Sequence, residues 1–227
     1  MVKLFNPLKR TIDIPPVAVI GLGRFGASLA GELMRHGVEV LGIDAVDRTV
    51  REQSVVLSDA LAADTTDPEA LRQLGITEFE RVVVAIGSHL EASILTASNL
   101  IELEIKDIWA KADSDAHARI LTQLGVHHVI RPERDTGRRV AHLLGGKFQD
   151  FAEIAEDYGV TKLTPPGCVQ GVTLDVAEVY RQRHVQLIAV RTAWGEWEPI
   201  RSGQQLSGSD IIVVAGSPEA LERFSGA

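Results

Sequence analysis

The stretch "VAVIGLGRFGASLAGELMRHGVEVLGID", residues 17–44, decides the fold. A short apolar run, Val17–Ile20, meets Gly21-Leu22-Gly23-Arg24-Phe25-Gly26 and passes straight into a helical pattern. A second apolar run follows and closes on Asp44. In a G-x-G-x-x-G set between strand and helix, each glycine has a physical task. Gly21 permits the tight turn, Gly23 lets backbone approach phosphates, and Gly26 lets the helix pack closely on the strand. The free N–H groups and dipole of a helix starting near Arg24 favour an anion. Asp44 stands where a carboxylate accepts bonds from ribose hydroxyls and repels a 2′-phosphate, which disfavours NADP. NAD, ATP and ADP share the same unphosphorylated adenosine ribose, and the motif alone does not separate them. Arg24 has the fork geometry for phosphate oxygens, or is a solvated side chain on an exposed turn.

Working outward, apolar runs alternate with helical patterns as far as residue 144. Val17–Ile20, Val38–Ile43, Leu57–Ala62, Val82–Ile86, Ile108–Lys111 and His128–Ile130 read as strands. Arg24–His36, Thr49–Val55, Pro68–Leu74, Leu90–Leu103, Asp115–Leu124 and Glu133–Leu144 read as helices, the last stopped by Gly145-Gly146. The strands are apolar nearly throughout, which suits a parallel sheet covered on both faces. The expected fold class is therefore α/β, a Rossmann-type doubly wound parallel sheet. Beyond Gly146, "VTKLTPPG", "VQLIAVRTAWGEWEPI" and "DIIVVAGSPEALERF" change to short strands, turns and one terminal helix. The division expected is an N-terminal arm at 1–14, a nucleotide-binding domain at 15–146 and a small α+β domain at 147–227.

Composition narrows the function. With 227 residues, 45% of them hydrophobic, the chain can build a proper core. Its net charge is −8, and no basic run exceeds a pair such as Lys9-Arg10 or Arg138-Arg139. It therefore lacks the counterion-releasing face that nucleic-acid binding requires. Cys168 is the only cysteine, which excludes an intrachain disulfide and points to a reducing cytosol. No apolar run is long enough to cross a bilayer, and "MVKLFNPLKRTIDIPP" lacks the apolar segment of a signal peptide.

Catalysis finds little support. Tyr158 and Lys162 have the Y-x-x-x-K spacing of short-chain dehydrogenases, a pair that works on a helix. Here the intervening Gly, Val and Thr, with Pro165 close behind, favour a strand, where the two would stand about 13 Å apart. His127 and His128 adjoin on an expected strand and face opposite sides, and His36, His89, His142 and His184 show no ligand spacing.

In order, "VAVIGLGRFG", "VLGID", "AADTTDPEAL", "VVVAIGSHLEASI", "IWAKADSDAHARIL" and "HHVIRPERDTGRRVA" resemble the RCK (regulator of K⁺ conductance) subunits of Ktr- and Trk-type potassium-uptake systems. The likeness is nearest the KtrA type. It is strong from residue 17 to about 144 and weaker from about 148 to 224, where it follows an RCK C-terminal domain. The resemblance implies a nucleotide-sensing regulatory subunit, not an enzyme, that gates a membrane potassium transporter. Such a subunit is cytoplasmic and peripheral, held to the inner face of the membrane by its ion-translocating partner. It forms a homo-oligomeric ring, often an octamer, and binds ATP, ADP or NAD(H).

By position, the resemblance implies that Gly21 to Gly26 cradle phosphates and that Asp44 holds ribose, with Ala45 and Val46 beside it. Asp64 and Thr65 would flank adenine, and Ile86, Gly87 and Ser88 would line the base and ribose pocket. Lys111, with Ala112 and Asp113, and His117 would approach phosphate or ribose. Glu133 would bind a divalent cation, Mg or Ca, at the nucleotide-bearing dimer contact. Plainer roles remain open: Asp64 as a helix cap, Lys111 as a solvated strand end, His117 as an exposed helix residue, Glu133 as complement to its own helix terminus. The sequence also departs from the family. Tyr180 stands where some relatives have an arginine of a cyclic di-AMP cleft, although Arg181 and Arg183 are near, which counts against cyclic di-AMP control. Trp194 and Trp197, on an expected hairpin, suit packing or subunit contacts better than a ligand cage. The rival readings are an NAD-dependent oxidoreductase and a redox-sensing NADH-binding repressor. The first lacks an acid/base pair and the second a basic recognition helix.

Overall fold

The computed structural model describes residues 13–192 and 195–227. Most of the expected arm, and Trp194, lie outside the described residues. The chain divides into two compact units, split in sequence between Pro132 and Glu133.

In the first unit, β1 (Val17–Ile20), β2 (Val40–Asp44), β3 (Asp59–Ala62), β4 (Arg81–Val84), β5 (Asp107–Lys111) and β6 (His128–Ile130) alternate with helices. The helices are α1 (Arg24–Arg35), α2 (Asp47–Gln53), α3 (Pro68–Gln73), α4 (Leu90–Glu102) and α5 (Asp115–Leu124). All six strands pair in parallel, in the order β3-β2-β1-β4-β5-β6. The chain therefore winds outward one way from β1, returns, and winds the other way from β4. That reversal opens a crevice at the carboxyl ends of β1 and β4.

The pleat of β1 shows why an unbroken apolar run was needed. Ala18 and Ile20 enter one core with Ile43, Val84, Leu100 and Leu121, while Val17 and Val19 enter another with Leu22, Ala30, Val40 and Val83. Successive side chains point to opposite faces, and here both faces are dry. β3 departs from the expected apolar burial: it is an edge strand, and its Leu61 is 44% exposed.

The second unit contains α6 (Pro132–Leu144), β7 (Asp150–Ala155), β8 (Tyr158–Leu163), α7 (Val176–Arg183), β9 (Val185–Arg191), β10 (Trp197–Pro199), β11 (Ile211–Gly216) and α8 (Pro218–Ser225). Its sheet is antiparallel in the order β10-β9-β11-β8-β7. Phe148, Phe151, Leu163, Val185, Ile212, Leu221 and Phe224 form its core. α8 starts as its sequence asks, with Ser217 accepting the Ala220 N–H and Pro218 following the cap.

Two features of this unit differ from the sequence reading. The expected boundary near Gly146 would leave α6 in the first domain, but α6 falls in the second unit. Its Arg139 donates to Asp150 at 2.9 Å, its Arg138 donates to Glu153 at 3.1 Å, and its His142 ring stands 4.0 Å from that of Phe151. In addition, β7 and α7 join the single expected terminal helix.

Candidate functional site

The glycine turn is built as its composition requires. Gly21 has φ +93°, a left-handed conformation, and a Cβ there would come within 3.0 Å of the Ala85 carbonyl carbon and the Ile86 nitrogen. At Gly26 a Cβ would collide with the Gly21 carbonyl oxygen. Leu22 is buried and Phe25 packs beside it, so these two offer only their backbone.

Gly23 begins α1 with no side-chain cap and no acidic residue in the first turn. Each other described α-helix carries an acid there, and Asp67, Ser114, Asp175 and Ser217 cap α3, α5, α7 and α8. The first N–H groups of α1 thus keep their positive field for an anion. Arg24, at the first position of α1, is exposed.

Asp44 ends β2 facing this turn. Its carboxylate accepts the Leu22 N–H at 2.7 Å and the Val46 N–H at 2.9 Å. It therefore ties the glycine loop to the β2 exit, and its remaining lone pairs can receive hydroxyl donors. Ala45 and Val46 beside it are exposed. The Asp44 carbonyl accepts the Ala63 N–H, which brings the β3 exit alongside.

The next two residues have mainly structural partners. The Asp64 carboxylate accepts the Thr66 hydroxyl and N–H, which hold it below the usual carboxylate value. Asp67, not Asp64, caps α3. Thr65 is buried, its hydroxyl 2.8 Å from that of Thr96, and Asn99 donates to its carbonyl. Its side chain anchors the loop on α4.

Across the crevice, Ile86 packs on the first core, Gly87 is half-buried and Ser88 is exposed. A Cβ at Gly87 would stand 2.9 Å from the Lys111 Nζ and 3.0 Å from the Asp113 carboxylate, so glycine makes room for that pair. Lys111 ends β5 and is not a solvated strand end: its ammonium lies 3.2 Å from Asp113, and its side chain is 11% exposed. Ala112 is buried, and its N–H donates to Ile130.

His117 is 2% exposed, which rules out an exposed helix position. Its Nδ1 accepts the Asp113 N–H at 3.4 Å, and its Nε2 is buried without a hydrogen-bond partner. Burial pushes its pKa down, against the pull of the Asp113 carboxylate. The imidazole is thus neutral in the fold but charges readily once unfolded. Stability should be full above about pH 6.5 and fall as pH drops from there toward the lowered native value. Thermal melts from pH 7.5 to 5.5 should show that loss, and His117→Gln should reduce it.

The glycine turn, Asp44, Ile86 to Ser88 and Lys111 to His117 all gather at the carboxyl ends of β1, β2, β4 and β5. Glu133 lies in the first turn of α6, in the second unit. Among the described residues no three His, Cys, Asp or Glu are grouped to hold a metal ion. His127 accepts the Ile108 N–H, and His128 stacks on Trp109 at 4.1 Å. Tyr158 and Lys162 lie on strand β8, where the Tyr158 hydroxyl donates to Gln186. The α6–β7 cleft of about 1010 Å³ is lined by charges that pair with one another, Arg138 with Glu153 and Arg139 with Asp150. Trp197 is 43% exposed under the Arg191 guanidinium, and Tyr180 is exposed on α7.

The TrkA-N domain family model matches residues 17–132. The Ktr system potassium uptake protein A of Bacillus subtilis is 39% identical over 208 residues, 91% of this chain and 94% of that protein. The Ktr system potassium uptake protein C of the same organism is 33% identical, again across 91% of this chain and 94% of its own length. Among solved structures, the GsuK channel bound to NAD matches with a TM-score of 0.64 at 16% identity, covering 98% of this chain and 42% of that one. At that identity the likeness is one of fold.

Proposed function

Because the chain belongs to the TrkA-N domain family, in its Ktr potassium-uptake branch, we propose that it is a nucleotide-sensing regulatory subunit of a membrane potassium transporter. The observation that carries the nucleotide part is the bare N-terminus of α1 facing the Asp44 carboxylate across one tight turn. A nucleotide supplies both complements, phosphate for the helix end and ribose hydroxyls for the acid. ATP and ADP are the ligands of choice, with NAD(H) accommodated by the same adenosine contacts. The GsuK channel bound to NAD shares the fold and supports the wider choice.

The protein is a regulator, not an enzyme. Its relatives are potassium-uptake proteins, and Tyr158 and Lys162 are spread along β8. No described helix is long and apolar enough to cross a membrane; in this reading, attachment to the membrane runs through the transporter. The subunit sits peripherally on the cytoplasmic side, in a homo-oligomeric ring, an octamer by analogy, with α6 crossing between copies. Arg24 would meet the γ-phosphate. Glu133 would complete the shell of a divalent cation with phosphate oxygens, since hard cations take oxygen ligands. A ligand moves such a ring only through its different affinity for two arrangements, and a near-complete switch needs about 5.5 kcal/mol in total.

The test is calorimetry of the pure protein with ADP, ATP and NADH, then ion flux in liposomes carrying the membrane partner. Binding of ADP and ATP with different fluxes is the expected result. In Arg24→Ala and Glu133→Gln, ADP affinity should persist while the ATP-against-ADP difference in flux disappears. Steady NADH oxidation with a carbonyl substrate, abolished in Tyr158→Phe, would replace this reading with the oxidoreductase one.

A further inference from the structure

Resting on the nucleotide reading above, we propose that Asp113 is a built-in competitor for the ligand's phosphate, holding the Lys111 ammonium until a phosphate replaces it. The two charges lie 3.2 Å apart, but they are not equivalent. The Lys111 side chain is 11% exposed and the Asp113 side chain 40%. A mostly buried ammonium needs an anion beside it, and the partner nearer to water is the one that can leave.

The pair also stands close to the glycine turn. A Cβ on Gly21 would meet Ile86, and one on the very next residue, Gly87, would meet the Lys111 Nζ and the Asp113 carboxylate. The Ile86-Gly87 step thus lies between the glycine turn and this ammonium. The backbone under Asp113 is held on its helix side, since its own N–H donates to His117 and Ser114 caps α5. Release of this contact then asks for rotation of the Asp113 side chain. Phosphate offers more oxygens and more charge than one carboxylate, and it is repelled by that carboxylate as long as it stays. Both effects make Asp113 oppose an anionic ligand. If Asp113 instead held Lys111 in place for the ligand, its removal would weaken binding, so the sign of the effect separates the two roles.

The experiment is calorimetry on the full chain with ADP, in the presence of a chelator of divalent cations, and with adenosine as the phosphate-free probe. Asp113→Asn should tighten ADP binding by about fivefold and leave adenosine unchanged. Asp113→Ser, a second neutral variant compatible with a turn before a helix, should do the same. In a Lys111→Met background the gain should vanish. ADP affinity unchanged or weakened in both folded Asp113 variants, or an equal gain for adenosine, overturns the proposal while leaving the nucleotide site standing. No ADP binding by the wild-type chain removes the nucleotide reading and this inference with it.

Discussion

Gly26→Ala should disrupt the glycine turn and lower stability by about 3 kcal/mol or more, a loss of roughly 10 °C in melting temperature for a chain of this size. A Cβ at Gly26 lands on the Gly21 carbonyl oxygen and 3.1 Å from the Ala85 Cβ. Neither side can give way cheaply. Gly21 donates to Ile43 at 2.7 Å and Ala85 donates to Ile20 at 2.7 Å, so both neighbours are bound into the sheet. The only relief is to lift α1 off the strands, which moves its first N–H groups away from the crevice and should abolish ADP binding. Gly31→Ala is the matched control on the same helix, because a Cβ there meets nothing within 4 Å. It should stabilise by about 0.5–1 kcal/mol, the difference in helix propensity. Thermal melts and calorimetry on both variants decide the matter: wild-type melting and ADP affinity in Gly26→Ala would refute the close-packing role.

The reason Gly26 could be singled out before any coordinates is that its constraint is local, set by a turn of a few residues. The same holds for most of the first unit. Strand and helix periods are short-range properties, and α5, β1 and β6 span the residues their patterns imply. Features that depend on topology were harder to read. Leu61 looks like its buried counterparts in β1, yet β3 ends up at the sheet edge because the chain reverses after it. α7 buries no residue fully and packs only Val176 and Val179 against the core; its more legible sign is the cap in which Asp175 accepts the Glu178 N–H. The assignment of α6 to the second unit turns on Arg138 and Arg139 finding acids on β7, pairings that spacing alone does not reveal.

The site shows the same limit. The tight glycine turn and its contact with Asp44 were legible because a fingerprint links them, whereas the burial of His117 and of the Thr65 hydroxyl comes from packing within the unit. For Thr65 the partners sit on α4, more than thirty residues away in sequence.

Asp44→Ala should weaken ADP, ATP and NADH binding alike, by about 1–3 kcal/mol, the range for losing hydrogen bonds to a charged acceptor. That is roughly fivefold to 150-fold in affinity. The carboxylate is tied to the loop as well as proposed to hold ribose, and alanine leaves the Leu22 and Val46 N–H groups without their acceptor. A part-buried donor left unpaired should also cost about 1 kcal/mol of stability, visible in a thermal melt. Asp44→Asn separates the two roles. The amide oxygen can still accept the part-buried Leu22 N–H, while the exposed Val46 N–H turns to water, so the stability loss should be smaller than in Asp44→Ala, while the loss of charge still weakens the ribose contact. The charge has a further consequence, since it repels a 2′-phosphate. The preference for NADH over NADPH should therefore shrink in both variants, although NADH itself binds less well. Adenosine, which carries the ribose hydroxyls and no phosphate, should lose affinity here although Asp113→Asn leaves it untouched. Calorimetry that returns wild-type affinities for all three nucleotides in a folded Asp44→Ala would remove this carboxylate from the ligand and leave it only the task of holding the turn.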